Sequence, residues 1–191
     1  MKNFLKVTLV MLCMVFMTST FAQSRRSSGG APSSYGNTLN IGLGLGYGVP
    51  LLVNYEFDVA KDFTLAPFIG YHRYREYWGR YNAYYIENIV PIGAKGTYYL
   101  DDVFGLTNPK WDLYGAASLG FNIYSYRWKD ATPDGWDDSW DAASETSALF
   151  LTVHAGAQYH FNSKLGVFLD LAGGLAGPST VMPTVGLAIN F

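Results

Sequence analysis

Charge is scarce in this chain. Asp, Glu, Lys and Arg make up 15% of its 191 residues, against about 25% in an average soluble domain. Thirteen basic residues face fifteen acidic ones, so there is no net positive field to displace counterions and a nucleic-acid partner is not expected. Cysteine is nearly absent. The single one, Cys13, lies near the N-terminus, which leaves the rest of the chain without disulfide or thiol chemistry. Long apolar runs are missing too: the greasiest stretch, Leu9–Met17, falls well short of the roughly 20 residues a spanning helix needs. With Lys2 and Lys6 before it and Thr20-Phe21-Ala22 ahead of Gln23, that stretch reads as an export signal over residues 1–22. Leu12 stands before Cys13, where a lipoprotein signal would have a small residue.

Strand-forming and turn-forming residues are abundant. There are 15 Tyr, 12 Phe and 21 Gly, yet the mean hydropathy is only +0.06. Alternation explains the combination, because every second residue of a half-exposed strand faces a different environment. From Val181 to Phe191, odd positions hold Val, Pro, Val, Leu, Ile and Phe, and even positions hold Met, Thr, Gly, Ala and Asn. The same period of two recurs upstream.

After a Ser/Gly-rich tail at residues 23–37, expected to be flexible, the alternation predicts eight strands between residue 38 and the terminus. Short connections are expected at 58–62, 101–110 and 162–164, and longer ones, rich in charge and aromatics, at 73–82 and 129–147, with a Gly-rich loop at 173–179. The expected fold class is therefore all-β, an eight-stranded antiparallel up-and-down barrel over residues 38–191. An even strand count with short turns at one end suits a transmembrane barrel.

Which face is outside follows from size. Leu43, Val53, Leu119 and Leu187 share the greasy face, whereas Gly, Ala, Ser, Thr and Asn dominate the other. An eight-stranded lumen is just wide enough for side chains to fill it, so the small and polar face goes inward. Aromatics at Phe57, Phe63, Tyr98, Trp111, Tyr159, Phe161 and Phe191 mark one end of the outer wall, and Tyr47, Tyr71 and Tyr84 the other. Two such girdles are what two lipid–water interfaces select. Pro67, Pro91 and Pro183 lie within strands, and each removes a ladder donor, so a bulge or an open hydrogen bond is expected at each.

This pattern, sharpened by the terminal Phe191, resembles the small single-domain outer-membrane β-barrel proteins of the OmpA/OmpX/OmpW-like class. The resemblance implies residence in the bacterial outer membrane among its lipid and lipopolysaccharide, and reading of Phe191 by the barrel-assembly machinery. It implies no peptidoglycan-binding domain, since the chain stops at the barrel.

Candidate functional residues fall into two groups. Glu56, Lys95 and Asp170 are expected inside the lumen, where isolated charge is costly and pairing is favoured. The long connections contain Arg73, Arg75, Trp78 and Arg80 on one side, and Asp134, Trp136, Asp137, Asp138 and Trp140 on the other. Arginines there suit lipopolysaccharide phosphates, and the acidic run lacks the spacing of an EF-hand. His154 and His160 are six residues apart on one strand, some 20 Å at about 3.3 Å per residue, too far to share a metal. No nucleophile, base and acid can be assembled from the sequence. The expected reading is a monomeric, non-catalytic surface-interaction protein without cofactor. The alternatives are a narrow pore for small or hydrophobic solutes and a lipid A-modifying enzyme.

Overall fold

The computed structural model describes residues 35–46, 49–78, 83–129, 146–177 and 181–191. The expected export signal, most of the expected tail, Arg80, Asp134, Trp136, Asp137, Asp138 and Trp140 lie outside them.

Eight strands run β1 (Thr38–Gly44), β2 (Leu51–Ala60), β3 (Phe63–Trp78), β4 (Ala83–Tyr99), β5 (Trp111–Lys129), β6 (Thr146–His160), β7 (Leu165–Ala176) and β8 (Met182–Asn190). A four-residue helix, α1 (Asp101–Phe104), occupies the β4–β5 turn. Each strand pairs antiparallel with its neighbours in chain order, and β1 closes on β8, so the sheet forms a closed cylinder.

The period of two places the greasy residues outside. Leu43 is 47% exposed, Leu119 53% and Leu187 47%, while Thr64, Thr97, Ser118, Gln158 and Thr184 on the opposite faces are buried. Tyr71, Tyr98, Trp111, Phe161 and Phe191 are exposed on the outer wall near its two ends. This is a soluble protein's polarity turned inside out. A wall of exposed Leu, Ile and Val cut by an aromatic rim is stable against hydrocarbon, not against water.

The narrow lumen also holds large rings, which glycines accommodate. Tyr114 lies directly across the strand pair from Gly156, and a Cβ at Gly156 would collide with the Tyr114 ring. Phe168 rests over Gly42 and Gly186 in the same way, with Gly42 and Gly186 themselves a cross-strand pair. Glycine here provides room for close approach rather than unusual backbone angles.

Two expectations need correction, and a third gains detail. Residues 73–78 are not loop: β3 continues to Trp78, paired with β4 from His72↔Ile89 to Trp78↔Ala83. Gly173 and Gly174 are likewise in β7, opposite Val153 and Thr152. The turn at 101–110 contains α1, closed by Gly105 at φ 62. Of the three strand prolines, two coincide with an opening in the ladder, one of the two outcomes expected, and the third does not. At Pro67 the β2–β3 pairing lapses between Asn54↔Phe68 and Phe57↔Leu65, and at Pro91 the β3–β4 pairing lapses between Ile69↔Ile92 and His72↔Ile89; the register is the same on either side. Pro183 pairs with Leu171 on β7, and its carbonyl accepts from the Leu45 N–H at 2.7 Å. Register shifts fall elsewhere, near Asp58–Ala60 and Leu151–Thr152.

Strand length is uneven around the wall. β1 has 7 residues and β5 has 19. The last β2–β3 pair at the loop end is Leu51↔Tyr71, and the last β5–β6 pair is Tyr124↔Thr146. Past those levels β3, β4 and β5 go on pairing with one another to Trp78↔Ala83 and Tyr84↔Lys129. Among the described residues, one side of the barrel is therefore taller than the other.

Candidate functional site: the lumen and its two ends

The lumen is built in layers because cross-strand neighbours share a height. Lys95, Ser118 and Thr152 lie in one row across β4, β5 and β6. Two residues nearer the loop end, the row is Phe68, Gly93, Gly120 and Phe150. The rings of Phe68 and Phe150 lean over those glycines with centroids 6.1 Å apart.

The central layer is ionic. Lys95 Nζ is 2.9 Å from Asp170 Oδ2, and both side chains are almost fully enclosed. The same ammonium lies 4.9 Å from the Tyr114 ring centre. Tyr114 OH donates to Asp170 Oδ2 at 3.1 Å, and His154 Nδ1 is 2.8 Å from Asp170 Oδ1. On its other side His154 Nε2 is 2.9 Å from Ser118 Oγ and 3.0 Å from Thr152 Oγ1, and these two hydroxyls are themselves in hydrogen-bond contact. Of the three interior charges singled out in the sequence, Lys95 and Asp170 form a direct pair. Glu56 is held differently, accepting from Tyr99 OH at 2.7 Å, Asn40 Nδ2 at 3.1 Å and Thr64 Oγ1 at 3.2 Å. Three donors replace much of the hydration a buried carboxylate loses.

Ser118, His154 and Asp170 in series are the parts of a nucleophilic relay. The alternation identified all three as inward-facing, but nothing in it said they share a level. Two requirements of such chemistry are unmet. Ser118 is 4% exposed, and its backbone is paired to Lys95 on one side and Thr152 on the other, leaving no local pair of spare N–H groups to hold an oxyanion. Among the described residues, no three His, Cys, Asp or Glu side chains come together as a metal site. His160 belongs to a separate pair nearer the turn end, its Nε2 2.6 Å from Asp112 Oδ2.

The turn end is also closed by aromatic packing. Tyr35, just ahead of β1, stacks on Tyr99 with ring centres 3.8 Å apart and planes within 6°. Its hydroxyl donates to Asp101 Oδ2 at 3.0 Å. Burial, and secondarily the Asp101 carboxylate, push the Tyr35 phenol pKa above its ordinary value. Burial likewise raises the Asp101 carboxyl. The tail was expected to be flexible through residue 37, yet its last residues are tied down here: Gly36 N–H donates to Asp58 Oδ1 at 3.0 Å.

At the loop end, Arg73 and Arg75 lie on the outer face of β3 in line with Tyr71, all three exposed. Tyr71 OH donates to Asn88 Oδ1 at 2.9 Å, and Asn88 is the cross-strand partner of Arg73. Trp78 ends β3, and its side chain lies outside the described set. At the opposite end, Phe191 is 78% exposed and its N–H donates to the Asn37 carbonyl.

The closed eight-stranded wall, greasy outside and polar within, defines the class: this is a small transmembrane β-barrel of the kind found in bacterial outer membranes. One match among solved structures agrees on the fold. The N-terminal β-barrel domain of Pseudomonas aeruginosa OprF matches with a TM-score of 0.54 at 17% identity, over 82% of this chain and 98% of that one. Neisserial surface protein A matches at 12% identity and a TM-score of 0.47, over 81% of this chain and 94% of that one. Ail of Yersinia pestis matches at 13% identity and a TM-score of 0.43, over 80% and 91%. At 17% identity the OprF match speaks to fold alone, and the other two, with TM-scores under 0.5, carry no argument. No protein-family model matches the chain, and no curated protein matches it.

Proposed function

We propose that this protein is a non-catalytic resident of the bacterial outer membrane that works as a rigid surface platform. The supporting observation is the uneven rim: among the described residues, β3, β4 and β5 go on pairing beyond the last pairs of β2 with β3 and of β5 with β6. A lumen crossed by an ionic layer between aromatic ones suits an anchor better than a conduit, because an ion passing through would have to break the Lys95–Asp170 pair. On the tall side Arg73 and Arg75 are exposed and follow Tyr71 along β3, a level that suits contact with lipopolysaccharide phosphates. Guanidinium groups there form charge-assisted, salt-sensitive hydrogen bonds to phosphate. The protein acts as a monomer.

Two measurements on the purified protein test this reading. Lipopolysaccharide binding should weaken about tenfold in the R73A/R75A variant and weaken further with salt; binding indifferent to both changes would remove the arginines from the account. Planar-bilayer recordings should show no discrete openings. Stable openings abolished by K95M would replace the platform with a narrow pore.

A further inference from the structure

The turn-side mouth contains a site whose walls are fixed independently of what fills it. Tyr99 is the last residue of β4, yet it is 3% exposed. Its hydroxyl is held by Glu56 at 2.7 Å, and its ring meets the edge of Tyr114 at 6.0 Å. Asp101 is equally constrained: Oδ1 accepts from the Leu113 N–H at 2.8 Å, which leaves Oδ2 facing the mouth. α1, which presents Asp101, is linked to the β2–β3 turn through Lys61 Nζ and Asp102 Oδ2 at 2.7 Å. A flat aromatic face and a carboxylate oxygen are thus preset to receive one ring with one hydroxyl donor.

We propose that the turn-side mouth is a phenol-binding slot, which the protein fills with its own Tyr35. The occupant differs from the walls in how it is held. Tyr35 precedes β1 and belongs to no ladder; beyond its ring stack and hydroxyl bond it is steadied by Thr38 Oγ1 donating to its carbonyl at 3.1 Å and by the neighbouring Gly36–Asp58 bond. A side chain on so short a tether is a built-in competitor with a high effective concentration. A small phenol arriving from the turn side would make the same stack and the same bond to Asp101. A hydrocarbon ring would make the stack alone.

Thiol accessibility tests this directly. Thr97 faces inward two residues from Tyr99, is 1% exposed, and its hydroxyl has no hydrogen-bond partner, so T97C should be tolerated. In a C13S background the introduced thiol is the sole one in the chain. Its reaction with a small charged thiosulfonate should be about tenfold faster when Y35A is added, since one stack and one charge-assisted bond guard the mouth. p-Cresol should restore slow reaction in the Y35A protein, and toluene should not. Retention of the folded barrel's gel mobility shows that the wall is intact. An unchanged rate in Y35A overturns the proposal, and so does equal protection by p-cresol and toluene. If Y35A fails to fold, Y35F decides the matter: it keeps the ring and loses the bond to Asp101, and protection equal to that of wild type would overturn the slot.

Discussion

Ser118 and Leu119 are consecutive residues of β5 that face different solvents: one is 4% exposed and the other 53%. On the inner wall, stability comes from satisfied polarity. Lys95, Asp170, His154, Ser118 and Tyr114 form one connected network, in which each member supplies part of another's solvation. On the outer wall the requirement is the reverse, because lipid offers no hydrogen bonds and tolerates apolar surface of almost any shape. The difference teaches that position along a strand predicts little about a substitution, whereas parity predicts a great deal.

The largest effect should come from inside. K95M leaves the Asp170 carboxylate buried without its cation, and loss of one partner of a buried pair costs about 3–5 kcal/mol. Urea unfolding of the detergent-folded barrel, followed by tryptophan emission, would measure it; a loss under about 1 kcal/mol would mean the pair is solvated after all. Outside, L119R should cost roughly 2–4 kcal/mol if Leu119 lies near the middle of the bilayer. L119A at the same position should cost less than about 1 kcal/mol. Equal penalties for the two would contradict the lipid-facing wall.

A smaller effect belongs to the mouth. The Tyr35 phenol has its pKa raised by burial and by Asp101, so the folded protein holds that proton more tightly than the unfolded chain. The contribution is therefore complete below the unfolded value of about 10 and declines as pH rises through the folded one. Stopped-flow reaction of the T97C thiol, corrected for thiol ionisation by a free-thiol standard, should show the mouth loosening only above about pH 10. Loosening near neutral pH would point to Asp101 as the controlling group instead.

Much of this architecture was legible in the sequence, and the exceptions have a common physical origin. A period of two reports which face a residue takes, so eight strands, the outward Leu43, Leu119 and Leu187, and the inward Glu56, Lys95 and Asp170 could all be read. It does not report height. The Ser118–His154–Asp170 series depends on the registers between β5, β6 and β7, and no local pattern encodes them. The end of β3 was missed because the signal fades there while the strand does not: Arg73-Tyr74-Arg75-Glu76 shows no hydrophobic alternation, yet β3 goes on pairing with β4. Tyr35 was missed because its neighbours are Ser and Gly, and its role comes from Tyr99 and Asp101, far along the chain.

The fit of rings over glycines has an evolutionary corollary. A methyl group added at Gly156 has nowhere to go while Tyr114 keeps its length, and shortening Tyr114 alone would open a gap and take a donor away from Asp170. Neither step is easy first. As sequences of this kind diverge, the two sites should change as a linked pair, and Phe168 with Gly42 and Gly186 as a linked trio, so that joint variation within the lumen becomes a readable record of how neighbouring strands are aligned.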